Sequence, residues 1–287
     1  MRLSVFPILL PFLYICKMKN FMRTICFILL ISIASCNGNT DKGPEISENI
    51  NSVAPPPMLQ YNVVKVYPHD TTSFTEGLLW FNNTLFEGTG NKGESKLMKL
   101  DINTGKASQE VKLDKQFFGE GISILNNKVY QLTWQEHKAF VYDLSTFKKI
   151  QEFEWPYEGW GMTHDGKNLI IGTGSNSLYY VDPNTFKILK TVGVSDNNGP
   201  VANINELEYV NGFIYANIYQ TKYIIKINPE TGTVVGKLDL DSVMEKNGVK
   251  YNANTVDVLN GIAYDSTKNS FYITGKNWPA LFEVKIN

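Results

Sequence analysis

Phe117-Phe-Gly-Glu-Gly121 restates, with small changes, Ser73-Phe-Thr-Glu-Gly77, and three more such openings follow at Tyr157-Glu-Gly-Trp-Gly161, Ile204-Asn-Glu-Leu-Glu208 and Val258-Leu-Asn-Gly-Ile262. Each opening leads into an apolar stretch, a turn and a second apolar stretch. The second stretches are Thr84-Leu-Phe-Glu-Gly88, Lys128-Val-Tyr-Gln-Leu132, Asn168-Leu-Ile-Ile-Gly172, Gly212-Phe-Ile-Tyr-Ala216 and Ser270-Phe-Tyr-Ile-Thr274. The turns before them, Asn82-Asn83, Asn126-Asn127, Asp165-Gly166, Asn211-Gly212 and Lys268-Asn269, suit hairpin positions with φ > 0. Self-similarity at a fixed period, with four strands to a unit, predicts a propeller.

The later half of the unit repeats as well. Lys99-Leu-Asp-Ile-Asn-Thr-Gly105, Val141-Tyr-Asp-Leu-Ser-Thr-Phe147, Tyr180-Val-Asp-Pro-Asn-Thr-Phe186 and Lys226-Ile-Asn-Pro-Glu-Thr-Gly232 read as turns between outer strands. Asp101, Asp143, Asp182 and Asn228 are 42, 39 and 46 residues apart, and an Asx side chain there closes a turn on its own backbone. The fifth unit ends at Asn287, one strand short, and Tyr61-Asn-Val-Val-Lys-Val-Tyr67 belongs to no other unit. The expectation is an all-β, five-bladed β-propeller of four-stranded antiparallel blades over residues 60–287. Its ring would be closed by the N-terminal strand (about 61–67) joining the last blade, leaving no free edge.

A net charge of −1 over 287 residues gives no case for a nucleic-acid partner. Cys16, Cys26 and Cys36 all precede the repeats, so the predicted domain holds no disulfide, thiolate nucleophile or cysteine metal site. Residues 1–36 read as a targeting segment. From Met18, which looks like the true start, Lys19 and Arg23 form a basic region and Ile25 to Ile33 an apolar one. Ile33-Ala34-Ser35-Cys36 resembles a bacterial lipobox, which implies cleavage before Cys36 and acylation of its thiol. Residues 37–59, polar and then Pro-rich, read as a flexible tether. The expected location is the cell envelope, lipid-anchored and facing periplasm or exterior, as a monomer. An insertion, Asp241 to Val256, is predicted to form one or two helical turns capped by Asp241 or Ser242, near the rim of a site.

A propeller brings corresponding positions of its units to one height around the axis. The openings then converge on one mouth, with Phe74, Glu76, Phe118, Glu120, Glu158, Trp160, Asn205, Glu206 and Asn260. Trp134, Tyr219 and Lys276 join them from the ends of the following strands. Aromatic walls with a few convergent polar groups describe a small-molecule or chain-end pocket. Glu206 and Glu208 read as structural, Trp80 and Trp155 as packing, and Trp278 as packed on the fifth blade. His69, His137 and His164 share no ligand spacing and read as surface or turn residues.

Phe74-Thr-Glu-Gly-Leu78, Phe118-Gly-Glu-Gly-Ile122, Glu158-Gly-Trp-Gly-Met162, Asn205-Glu-Leu-Glu208, Leu259-Asn-Gly-Ile-Ala-Tyr-Asp265 and Thr274-Gly-Lys-Asn-Trp-Pro-Ala-Leu-Phe-Glu-Val284 closely resemble the plant-type glutaminyl cyclases, also found in bacteria. The resemblance runs from about Tyr61 to the C-terminus. It implies a five-bladed propeller that converts N-terminal glutamine of peptides to pyroglutamate with release of ammonia, an acyltransferase with no cofactor and no catalytic metal. It places Glu120 at the catalytic carboxylate, and Phe74, Glu76, Phe118, Trp134, Trp160, Asn205 and Lys276 at pocket positions. Two departures stand out. Tyr219 takes a position usually held by Trp, and Glu76 replaces a Gln of plant members, adding a second carboxylate. Two other readings share the fold: a non-catalytic surface propeller binding peptide ends or glycans, and a metal-dependent lactonase-type propeller, which would have six blades.

Overall fold

The structure, a computed structural model, describes residues 53–287. The targeting segment, Cys36 and residues 37–52 of the tether lie outside the described residues. Strand β1 (Tyr61–Pro68) comes first in the chain. The first blade is β2 (Thr75–Phe81), β3 (Thr84–Thr89), β4 (Lys96–Asp101) and β5 (Lys106–Lys112). The second is β6 (Gly119–Leu125), β7 (Lys128–Thr133), β8 (Lys138–Asp143) and β9 (Lys149–Glu154). The third is β10 (Met162–His164), β11 (Leu169–Gly172), β12 (Ser177–Val181) and β13 (Ile188–Gly193). A two-stranded hairpin, β14 (Ser195–Asp196) with β15 (Gly199–Pro200), leads to the fourth blade. That blade is β16 (Ile204–Val210), β17 (Phe213–Ile218), β18 (Tyr223–Ile227) and β19 (Val234–Asp239). The fifth holds β20 (Leu259–Asp265), β21 (Ser270–Gly275) and β22 (Ala280–Ile286), and β1 supplies its outer strand.

The closure joins the two ends of the described chain in one sheet. Tyr61 pairs with Ile286 and Pro68 with Ala280, antiparallel. All five blades are therefore four-stranded and antiparallel, the propeller that the repeats predict.

Local chemistry explains the turns. Both residues of Asn82-Asn83, Asn126-Asn127 and Asn211-Gly212 have positive φ, as a two-residue hairpin requires. The third and fifth blades use four-residue loops instead, with positive φ only at Gly166 and Asn269. In the outer turns Asp101, Asp143, Asp182 and Asn228 accept the backbone N–H two residues on, at 2.9, 3.2, 3.0 and 2.9 Å.

Five apolar clusters lie one between each pair of neighbouring blades. Fully buried Leu97, Leu132, Ile170, Ile214 and Phe282 sit in these layers. Each such side chain contributes roughly 1.5–3 kcal/mol by leaving water. Trp155 is fully buried, Trp80 lies on Tyr272 at 4.8 Å between ring centroids, and Trp278 packs into the cluster between the fourth and fifth blades.

Two expectations are corrected. The helix in the insertion is one turn, α1 (Val243–Lys246), within the one or two expected, but neither Asp241 nor Ser242 caps it through a side chain. Ser242 takes a left-handed backbone with φ 57°, because burying Val243 and Met244 between the blades fixes the entry angle. His69 is neither a surface nor a turn residue. It is buried, with Nδ1 2.8 Å from the carbonyl of Trp278 and Nε2 3.1 Å from Glu87 Oε1.

Candidate active site

The inner strands carry a repeated irregularity at the mouth of the channel. In β2, β6, β16 and β20 the pairing register slips just after the first residue. The residues freed from the ladder there include Glu76, Glu120, Asn205 and Asn260. A β-bulge bends its strand and re-aims the extra side chain, so four blades present a polar group at one height. The third blade reaches that level without a bulge, through Trp160 just ahead of β10. Glycines follow several of these positions because neighbouring blades nest closely. A Cβ on Gly161 would lie 1.9 Å from the Asn205 carbonyl oxygen, and Gly261 has φ 116°.

Above this polar floor the side chains form a closed circuit. Phe74 meets Phe118 edge to face at 6.2 Å, and Phe118 meets Trp134 at 5.5 Å. The indole N–H groups of Trp134 and Trp160 both donate to Glu158 Oε2, at 2.9 and 3.1 Å. Trp160 meets Tyr219 edge to face at 5.5 Å. Lys276 Nζ completes the circuit, 5.3 Å from the Tyr219 ring centroid and 4.4 Å from that of Phe74. A cation over aromatic faces is attracted by the ring quadrupoles.

The floor is dominated by two buried carboxyls. Lys276 Nζ stands 2.5 Å from Glu76 Oε1, and Asn260 Nδ2 donates to Glu76 Oε2 at 3.3 Å. Glu76 and Glu120 are near enough that each carboxyl alters the ionisation of the other. Burial raises the Glu76 pKa to about 7, although Lys276 pulls it down. Burial also holds Glu120 well above the usual carboxylate range, and the adjacent charge of Glu76 adds to this. Two like carboxyls in one dry site share a single proton. Glu76 faces the ammonium, so the proton rests on Glu120. Burial would raise the Glu158 carboxyl, but bonds from Gln135, Trp160 and Trp134 outweigh it and hold its pKa below the ordinary value.

Direct contacts bring together Phe74, Glu76, Phe118, Trp134, Trp160, Tyr219 and Lys276, while Glu120 and Asn205 occupy the matching bulges of their own blades. Asn205 Oδ1 and Asn260 Oδ1 are buried without a hydrogen-bond partner, which leaves unused acceptors at the floor. Glu206 points elsewhere: it is fully buried and accepts the backbone N–H of Leu78 at 3.1 Å and of Ile262 at 2.8 Å, tying three blades together. Glu208 accepts the N–H of Tyr264 at 3.0 Å. Asp257, the residue after the insertion, donates its N–H to the Lys276 carbonyl at 2.9 Å. Sequence reasoning did not identify the bulges or the bridging role of Glu158. The glycines after Glu76, Glu120 and Asn260 were the available signal for the first.

The family model for glutamine cyclotransferase matches residues 30–286. The chain is similar to the glutaminyl-peptide cyclotransferase of Arabidopsis thaliana, 36% identical over 262 residues, which span 91% of this chain and 79% of that protein. It is also similar to the crystal structure of Myxococcus xanthus glutaminyl cyclase, with a TM-score of 0.75 and 33% identity, covering 81% of this chain and 98% of that one. With its five blades and the site at their mouth, the chain belongs to the glutamine cyclotransferase family.

Proposed function

We propose that the chain is a glutaminyl-peptide cyclotransferase, closing N-terminal glutamine of peptides or proteins to pyroglutamate and releasing ammonia. The observation that supports this most directly is the buried Glu120–Glu76 carboxyl pair at the base of an aromatic cup. A single glutamine side chain and its own amine must fold together there, so the enzyme's work is orientation, proton transfer and charge stabilisation.

Glu120 is the catalytic residue in this reading and starts the cycle neutral. The α-amine nitrogen attacks the side-chain carboxamide carbon, and the C–N bond to the amide nitrogen breaks. Glu120 gives its proton to that departing nitrogen and takes one from the attacking amine, so the proton count returns to its starting value. The amine has an unperturbed pKa of about 7.7–8, so a neutral fraction is present near pH 8. Burial among Phe118, Trp134 and Trp160 strengthens every polar interaction in the cup. Lys276 and Asn205 bind the substrate carboxamide or main chain; Phe74, Phe118, Trp134, Trp160 and Tyr219 shape the walls. Glu76 keeps Glu120 protonated.

In enzyme-class terms this is an acyltransferase acting within one molecule. The reading extends to a monomer held in the bacterial envelope by acyl chains on Cys36; each buried methylene contributes about 0.8 kcal/mol to such anchoring. The deciding experiment incubates the purified protein with a Gln-initiated peptide and follows ammonia together with blocking of the N-terminus. Ammonia release with the N-terminal amine blocked supports the reading. A protein that binds the peptide end without releasing ammonia would instead be a non-catalytic surface propeller. For the anchor, Cys36→Ser should move the protein from the membrane to the soluble fraction.

A further inference from the structure

Glu158 stands at one of the two joints of the circuit that no ring–ring contact bridges, Lys276 standing at the other. Glu158 Oε2 accepts both indole N–H groups, and its Oε1 accepts Gln135 Nε2 at 3.1 Å. The backbone under it is pinned to the second blade: Gly159 N–H donates to the carbonyls of Thr133 and Trp134, at 3.2 and 3.1 Å. A Cβ on Gly159 would sit 2.5 Å from the Thr133 carbonyl oxygen, so this close approach of the two blades requires glycine. The Glu158 carbonyl accepts Trp155 Nε1 at 3.3 Å, which fixes the residue from behind as well.

We propose that Glu158 is a positioning residue for the substrate cup: one ionised carboxylate holds the indoles of two different blades, so that Trp134 and Trp160 stand as fixed walls. Three donors already fill three of about four acceptor positions on the carboxylate, which favours holding the walls over binding substrate. Charge-assisted bonds of this kind are roughly twice as strong as neutral ones. Without them each indole would swing on its χ angles, and two N–H groups would seek other partners inside the cup. Glu158 lies across the circuit from Lys276, so an anion locks one joint and a cation the other.

The kinetic part of this inference rests on the cyclase reading; the structural part does not. The test compares Glu158→Ala, Glu158→Gln and wild type, after wild-type turnover of a Gln-initiated peptide has been confirmed. The indole N–H resonances of Trp134 and Trp160 are followed by ¹⁵N NMR, alongside kcat, KM and Tm. In Glu158→Ala both indole resonances should move upfield and KM should rise about tenfold or more, with a smaller change in kcat. In Glu158→Gln the amide oxygen can accept both indoles, so the resonances and KM should return to within about threefold of wild type. Unmoved indole resonances in Glu158→Ala would overturn the proposal. So would a fall in kcat at constant KM, which would place Glu158 in the chemistry, or a Tm loss equal in both variants. A wild type without turnover would fail the cyclase reading alone and leave the resonances to decide the clamp.

Discussion

Lys276 Nζ lies 2.5 Å from Glu76 Oε1, with both side chains buried. The two residues are 200 positions apart in the chain. This ion pair crosses the seam between the first and last blades, and it decides which of two neighbouring carboxyls carries the proton. Glu76 takes the ammonium, and Glu120 is left neutral.

If Glu120 is the proton carrier, Glu120→Gln should lower kcat by about 10²–10⁴-fold, the usual range for a positioned acid–base group. The fold should persist, since Gln keeps the shape and removes a buried ionisable group. Retention of more than about a tenth of wild-type turnover would sink the assignment.

The pair predicts a particular pH profile. Below the amine pKa the substrate is cationic and cannot attack, which sets the acid limb of the rate. Glu120 must be protonated, so its ionisation sets the basic limb. Glu76→Gln removes the like charge that adds to the raised Glu120 pKa and frees Lys276 to lower it further. The basic limb of kcat/KM should therefore shift to lower pH while the acid limb stays in place. A basic limb that does not move would show that Glu120 is not controlled by Glu76.

Stability should fall as pH rises through neutrality. Glu208 has its pKa raised to about 8 and Glu76 to about 7, each mainly by burial, against a value of 4.5 for the free group. A group whose folded pKa is raised binds its proton more tightly in the folded state. Its contribution is complete below about pH 4.5 and is lost as pH climbs to the folded value. Glu206 acts in the same direction through burial. Asp70 and Asp165 have lowered pKa values, because hydrogen bonds to Thr72 and Asn168 outweigh a burial cost that is the largest single effect on each. Their contribution is lost only on acidification below the free-Asp value. Tm, measured by scanning calorimetry, should be several degrees higher near pH 5.5 than near pH 8.5. An equal or higher Tm at the alkaline end would contradict the neutral, buried state of these carboxyls.

The seam has a second latch outside the site. His69 bridges the Trp278 carbonyl and Glu87, and Glu87 also accepts Thr75 Oγ1 at 2.6 Å. Removing one partner strands a buried charge, at a cost of roughly 3–5 kcal/mol. His69→Ala should therefore lower Tm by on the order of 10 °C. An unchanged Tm would show that closure does not depend on it.

Much of this was legible because the chain writes its unit five times. Repetition fixed the blade count, the Asx turns and the closing strand, and it aligned Glu120 with Glu76 and Asn205 around one axis. What escaped depended on partners that the repeat does not pair. His69 looked like a surface residue because Glu87 and the Trp278 carbonyl, 18 and 209 residues away, are chosen by the seam alone. The left-handed Ser242 follows from where Val243 and Met244 are buried, a tertiary demand that overrides its capping preference. The link from Glu158 to two indoles depends on side-chain direction, which no spacing encodes.

Because Tyr61 pairs with Ile286 while Pro68 pairs with Ala280 beside the Lys276 loop, the closing strand enters from the rear of the ring and runs towards the catalytic opening. The last residue of the closing strand thus lies on the same side of the ring as the ion pair that joins the first and last blades.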